Sequence, residues 1–266
     1  MKIITMATLK GGAGKTMNAF NIAGIVAEKK KVLLVDVDPQ CNLTSNCGVD
    51  ITSTETASIR DIFENQPKSQ PKPEEIIVKK PIEELPKLDV IPSSIYLFKT
   101  EKEIFGKSDR ERILEKYFKK HHAFFEYYDY IIIDTNPSMS FTNINAFLIA
   151  DSIILSCDIS NNSVTGAELF CELWDETREE LGMEDNISAL LISNYDGRSN
   201  LAKELIDYTR VSSFSKDILL KTIINTTVKL KETEISHKPI NIYNNSHKAC
   251  QQYRNVVKEL KKEGIL

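Results

Sequence analysis

The sequence predicts a doubly wound α/β fold, a mostly parallel sheet with helices on both faces. Three observations predict it. Strand-like KIITMAT (2–8) runs into a glycine turn, then a helix-spaced apolar stretch, then the continuous apolar run VLLVDVD (32–38), which together make a βαβ unit. Further apolar runs, YIIID ending at Asp134 and SIILSCD ending at Asp158, also finish in acids, as strands buried on both faces do at their carboxyl ends. Finally, 266 residues with 41% apolar and 27% charged content suit one α/β core filling the whole of 1–266.

Taken in order, Phe20, Ile22, Ala23, Ile25 and Val26 recur at helical spacing after Lys15, so a helix is expected to end near 29–31. SIRDIF (58–63) reads as a short helix. Five prolines, at 67, 71, 73, 81 and 86, mark 65–87 as an irregular segment with at most a short strand near Ile76–Val78. LDVIPS (88–93) reads as a third core strand, 107–125 as a helix, and 130–133 as a fourth strand. A helix around 142–148, a strand at 152–158, a helix from Gly166 to Leu181 and a strand at 188–194 follow. The remainder reads as a helix at 201–208, a strand near 221–224 and a last helix at about 246–262. Six to eight strands result, with no internal repeat.

Composition excludes several classes. No run of eighteen apolar residues exists, so no membrane-spanning helix is expected. The five cysteines (41, 47, 157, 171, 250) include no C-x-x-C pair, which argues for reduced thiols rather than a disulfide framework or a metal knuckle. Net charge is −4, but from Arg198 to Leu266 there are 13 Lys or Arg against 7 Asp or Glu. This local excess of +6 is either a phosphate-attracting face or solvated helix surface.

K-G-G-A-G-K-T at 10–16 carries most of the chemistry. Backbone N–H groups of Gly11, Gly12, Ala13 and Gly14, opening onto a helix N-terminus, form a concave anion site. Lys15 is expected to reach the β- and γ-phosphates of a nucleotide, and the Thr16 hydroxyl to sit on Mg²⁺. Leu9 stands where the full G-x-x-x-x-G-K-[ST] pattern has its first glycine, and Lys10 precedes the double glycine. Adjacent parallel strands bring their carboxyl ends to one edge, where nucleotides sit in open α/β sheets. By that placement Asp134 is expected to hold the metal, Asp36 to support it from behind, and Asp38 to orient the attacking water.

With these residues in view, the sequence resembles the ParA/MinD family of deviant Walker ATPases, and within it the small partition ATPases. LKGGAGKT is similar to the family's KGGVGKT loop, VLLVDVDPQCNLTSNCG to VLLVDLDPQGNAT, and YDYIIIDTNPS to YDYIIIDCPPS. ADSIILS, NYDGRSNL and TIINTTVKLKETEISHKPI extend the likeness along the chain. The resemblance implies a P-loop NTPase of the deviant Walker A type that binds ATP and Mg²⁺. It implies a homodimer formed on ATP binding, with Lys10 reaching the partner's phosphates, and slow, partner-stimulated hydrolysis. Non-specific binding of double-stranded DNA through Arg198 and Lys229, a small centromere-binding adaptor protein, and a cytoplasmic, nucleoid-associated location are further implications. Asn194 and Asn225 would fall beside the adenine, and Met17 stands where a second threonine is usual. Asn136 and Asn225 replace prolines, and the loop 157–166 lacks the usual proline and glutamate. The first strand starts at Lys2, so no preceding operator-binding module is expected. The competing readings are a membrane-associated MinD-like protein, whose anchor would be the last helix, and a nucleotide-gated adaptor with little hydrolysis.

Overall fold

A computed structural model describes residues 1–50, 57–64, 67–198 and 200–266. Among the described residues seven strands form one sheet: β1 (Lys2–Ala7), β2 (Val32–Asp36), β3 (Val78–Lys79), β4 (Leu88–Ile91), β5 (Tyr130–Asp134), β6 (Ser152–Asp158) and β7 (Ile187–Ser193). Their spatial order is β3-β4-β2-β5-β1-β6-β7. The pairs are parallel, except that β3 runs antiparallel to β4.

Strand side chains alternate between two cores, as a pleated sheet requires. Ile4, Met6, Leu34, Ile132 and Ile154 face the helices Lys15–Ala27 and Lys248–Lys262, whose Phe20, Tyr253, Val256 and Leu260 complete that core. Ile3, Leu33, Val35, Ile131 and Ile133 face the opposite side, against Leu97, Leu114, Tyr117 and Phe125. Leu155, Leu190 and Ile192 meet the long helix Asn161–Glu180 through Phe170 and Trp174. Burying residues such as Phe20 and Trp174, each fully enclosed, contributes roughly 1.5–3 kcal/mol apiece.

Most of the expected strands are present, and several expectations need correcting. Residue Ile76 ends a short helix, Pro73–Ile76, and the strand begins only at Val78; residues 65 and 66 of the proline-rich segment lie outside the described residues. Rather than one helix over 107–125, there is a 3₁₀ turn (Arg110–Arg112), a helix Ile113–Lys120 and a further short helix, His122–Phe125. His121 breaks the run, with its ring packed against Tyr117, centroids 4.8 Å apart. The stretch at 221–224 is not a strand of its own. It lies along β7 through bonds such as Leu220 N–H to the Leu190 carbonyl (3.0 Å) and Ile224 N–H to the Ile192 carbonyl (2.9 Å). The helix expected from Gly166 starts at Asn161, capped by Ser160. Sequence periodicity did not reveal the helices Asn42–Asn46, Leu97–Ile104 and Val228–Ser236.

All five cysteines are free, and four are buried. Burial raises the thiols, Cys41 to about 12 and Cys157 to about 11, so they stay protonated.

Candidate nucleotide site

The loop between β1 and the helix Lys15–Ala27 is shaped by two glycines in the left-handed region, Gly12 (φ 82°) and Gly14 (φ 86°). A side chain at Gly14 would also press on Ser193, whose Cβ lies 3.2 Å from the position of an added Cβ. The helix that follows has no acid in its first turn, leaving its N-terminal N–H groups and dipole open to an anion. Below it, Asn18 donates to Ser156 Oγ (3.1 Å) and Ser193 Oγ (2.9 Å) and accepts from Tyr253 Oη (2.8 Å). This fully buried polar ladder fixes the phosphate-loop helix to β6, β7 and the last helix. Nothing in the sequence pattern marks it, because an isolated Asn or Tyr has no periodic signature.

A cavity of about 910 Å³ opens over the loop, within the size range of small-molecule sites. Gly11, Gly12, Ala13, Gly14, Lys15, Thr16, Met17, Asp38 and Asn194 all line it. Ile224, Thr226, Thr227, Leu230 and Tyr253 also line it, a mix of apolar and polar side chains suited to a base and sugar, as do Asn42, Ser45 and His237.

Three carboxylates lie at the strand ends, in different circumstances. Asp36 and Asp134 are in direct register on β2 and β5, and both are fully buried. Asp36 is saturated: it accepts from Asp38 N–H (3.0 Å), Thr44 N–H (2.8 Å) and Thr44 Oγ1 (2.7 Å). It therefore braces the Asp38 turn and the helix Asn42–Asn46. Asp134, by contrast, has two buried oxygens with no hydrogen-bond partner among the described residues. Burial raises its carboxyl to about 8, with Asp36 adding to the rise and Lys15 and Thr16 opposing it. Burial also raises Asp36, to about 7. Asp38 faces the cavity, one oxygen accepting from Gln40 N–H at 2.9 Å. Burial lowers the Lys15 ammonium below the usual lysine range, against the pull of Asp134 and then Asp38.

Orphaned carboxylate oxygens beside a threonine hydroxyl form a hard-oxygen donor set, which fits Mg²⁺. That ion binds through one or two protein oxygens and completes its shell with phosphates and water. No group of three or more His, Cys, Asp or Glu able to hold a metal alone occurs among the described residues.

The other candidates occupy varied positions. Lys10 does not line the cavity; its Nζ is 2.8 and 3.1 Å from the Asp158 oxygens and 2.6 Å from Ser160 Oγ. Asn194, in the left-handed region at φ 54°, donates from its amide to the Gly12 carbonyl (3.1 Å), steadying the phosphate loop. Asn225 does not line the cavity: its side chain accepts from Gln252. Arg198 is almost wholly exposed and pairs with Asp196 at 2.5 Å; Lys229 pairs with Glu232 at 2.7 Å. Met17 lines the cavity while its sulfur sits 2.8 Å from the Asn21 amide. Asn136 has a structural reason: its carbonyl and side chain accept from Asn143 Nδ2 at 2.9 and 2.8 Å, clamping the loop after Asp134 without a proline.

An AAA domain family model matches residues 1–189. The sporulation initiation inhibitor protein Soj of Bacillus subtilis is 31% identical over 264 residues, 99% of this chain and 99% of its own. The chain belongs to the ParA/MinD family of deviant Walker ATPases. Within the family, the chromosome partitioning protein ParA of Myxococcus xanthus is 30% identical, covering 98% of this chain and 88% of its own. A plasmid partition protein of Borrelia burgdorferi B31, solved bound to AMPPNP, superposes with a TM-score of 0.78 at 26% identity, covering 98% of this chain and 99% of that one. Family membership accounts for the deviant loop, in which Lys10 stands before the paired glycines.

Proposed function

We propose that this chain is a partition ATPase that hydrolyses Mg-ATP slowly, dimerises on binding it, and in that state holds DNA without regard to sequence. The observation that carries this reading is the cavity where the phosphate loop, Lys15, Thr16 and Asp38 converge, with the buried Asp134 carboxylate close to Lys15 and Thr16. Thr16 and Asp134 would hold Mg²⁺, which when bound neutralises phosphate charge. Lys15 and the loop N–H groups orient the phosphates. Asp38, anchored by Gln40 N–H and by the brace at Asp36, positions the attacking water. Lys10, once released from Asp158, completes the phosphate site of a second copy.

DNA binding in this reading draws on the basic stretch 198–266, including Arg198 and Lys229, doubled when two copies join. A small centromere-binding adaptor would stimulate turnover, and the cytoplasmic nucleoid would be the place of action. Against the membrane-associated alternative, the last helix buries its apolar face, with Tyr253, Val256, Val257 and Leu260 all in the core. No described helix is long and apolar enough to cross a membrane.

The test is binding of a labelled random duplex at low salt with Mg-ADP and with a non-hydrolysable Mg-ATP analogue. Binding confined to the analogue and lost in Lys10→Ala supports the reading. A dimer that forms with the analogue yet ignores DNA would replace it with the adaptor reading.

A further inference from the structure

The two halves of the nucleotide site belong to different stretches of the chain. The phosphate loop leads into the helix Lys15–Ala27, and the Asp38 turn leads into the helix Asn42–Asn46. A third stretch, 228–243, touches both. Its grip on the phosphate-loop helix is buried: Ile240 N–H donates to Asn21 Oδ1 at 2.7 Å, and Asn241 Nδ2 to the Gly24 carbonyl at 3.0 Å. It reaches the other half through His237, which closes the helix Val228–Ser236 and lines the cavity. The His237 Nδ1 lies 2.7 Å from the Ser45 carbonyl oxygen. A carbonyl only accepts, so Nδ1 carries the proton. The same oxygen also accepts from Gly48 N–H at 2.8 Å, which occupies both of its lone pairs. Gly48 itself packs on the histidine, a Cβ added there lying 3.5 and 3.6 Å from His237 Cβ and Cγ.

We propose that His237 is a positioning residue for ATP hydrolysis, setting the Asp38 segment at its working distance from the phosphate loop. This role rests on the ATPase reading and deepens it. The path from the imidazole to Asp38 is short. His237 holds Ser45; the neighbouring Thr44 donates its N–H and its hydroxyl to Asp36; and Asp36 accepts from Asp38 N–H. At its other end the stretch that carries His237 is fixed to the phosphate-loop helix at Asn21 and Gly24. The bridge therefore spans from the group that holds the phosphates to the group that positions the water. A misplacement of about 1 Å between reacting groups can cost about a hundredfold in rate. The hydrogen bond is solvent-exposed, so its loss loosens the Asp38 segment without unfolding it.

The experiment compares His237→Gly with His237→Asn in the full chain. His237 stands in the left-handed region at φ 53°, which glycine and asparagine both tolerate. Glycine removes the hydrogen bond. Asparagine keeps a donor, its amide nitrogen standing as many bonds from the main chain as Nδ1 does. Phosphate release from Mg-ATP gives kcat and KM, and calorimetry gives the affinity for a non-hydrolysable ATP analogue. His237→Gly is expected to lower kcat about fivefold, the weight of one hydrogen bond, with KM and analogue affinity within about twofold of the parent's. His237→Asn is expected to recover most of the lost kcat. Amide exchange across residues 42–48 should quicken in the glycine variant and return to the parent's rate in the asparagine variant. A glycine variant with the parent's kcat would overturn the proposal, as would an asparagine variant no faster than the glycine one. Analogue affinity falling in step with kcat would also overturn it, by making His237 a binding contact. Where the parent turns over Mg-ATP and these results fail, only the role of His237 falls. A parent without turnover removes the ATPase reading, and this role with it.

Discussion

The ammonium of Lys10 is held by Asp158, 2.8 Å away, and by Ser160, the residue that caps the helix Asn161–Glu180. The same cap hydroxyl donates to Asp158 at 2.6 Å, so the lysine, the strand end and the helix start form one network. In this arrangement Lys10 is engaged within its own chain. Reaching the phosphates of a second copy requires breaking that network.

Asp158→Asn should therefore favour the nucleotide-bound dimer. The pair is part-exposed, with side-chain exposures of 30% and 17%, so solvent screening limits its worth to about 1 kcal/mol, or about fivefold in an equilibrium. Light scattering against concentration of the ATP analogue should give a several-fold lower midpoint. An unchanged or higher midpoint would show that the pair does not restrain Lys10.

The pH dependence of stability follows from Asp134 and Asp36. Their carboxyls are raised on folding, so the native state binds more protons than the unfolded chain between about pH 4 and about pH 8. Stability of the nucleotide-free protein should then fall as pH rises through that window, other groups aside. Thermal melts at pH 6 and 8 measure it. Asp134→Asn should flatten the trend and stabilise the nucleotide-free protein at pH 8, by about 1–3 kcal/mol, while abolishing Mg²⁺-dependent nucleotide binding. A variant less stable than the parent at pH 8 would show that Asp134 has a protein partner.

Gly14→Ala tests the shape of the loop. The φ of 86° and the 3.2 Å approach of Ser193 together make a side chain costly, by roughly 1–2 kcal/mol for the backbone alone. Nucleotide binding, followed by calorimetry, should weaken more than the melting point falls, because the N–H groups that cradle phosphate must shift. Binding equal to the parent's would place the phosphates elsewhere.

Removing Arg198 or Lys229 should weaken DNA binding at every sequence alike. Each alanine variant should lower the slope of log affinity against log salt by about one, the mark of a single phosphate no longer neutralised. Nucleotide binding should be untouched, since neither residue lines the cavity. A slope equal to the parent's would put the DNA-binding charge on other cations.

The fold was largely readable because its signals are local. Runs such as 32–35 and 131–133 are apolar throughout, as a strand buried on both faces requires. Helices with mixed faces were harder. Leu97–Ile104 carries apolar Phe98 on its exposed side, which blurs the period, and Val228–Ser236 buries only Leu230 and Thr233. At the site, the loop and the strand-end acids were legible by type and spacing. The division of labour among the acids was not, because it depends on Thr44 saturating Asp36 across eight residues while the Asp134 carboxylate has Thr16 and Lys15 near it. The present partner of Lys10 was likewise hidden, since Asp158 lies 148 residues away.

Both margins of the sheet are closed to further strands. β3 is two residues long and is followed by Lys80 in the left-handed region (φ 51°) and by Pro81, which together stop a neighbour from extending the ladder. Along β7, the segment 218–226 takes up the outward hydrogen bonds without becoming a strand. Backbone pairing, the cohesive force that turns exposed edges into irreversible aggregates, is thereby unavailable to two copies of this chain. In the proposed dimer, association would then fall to side chains and bound nucleotide, a bond that could be made and undone.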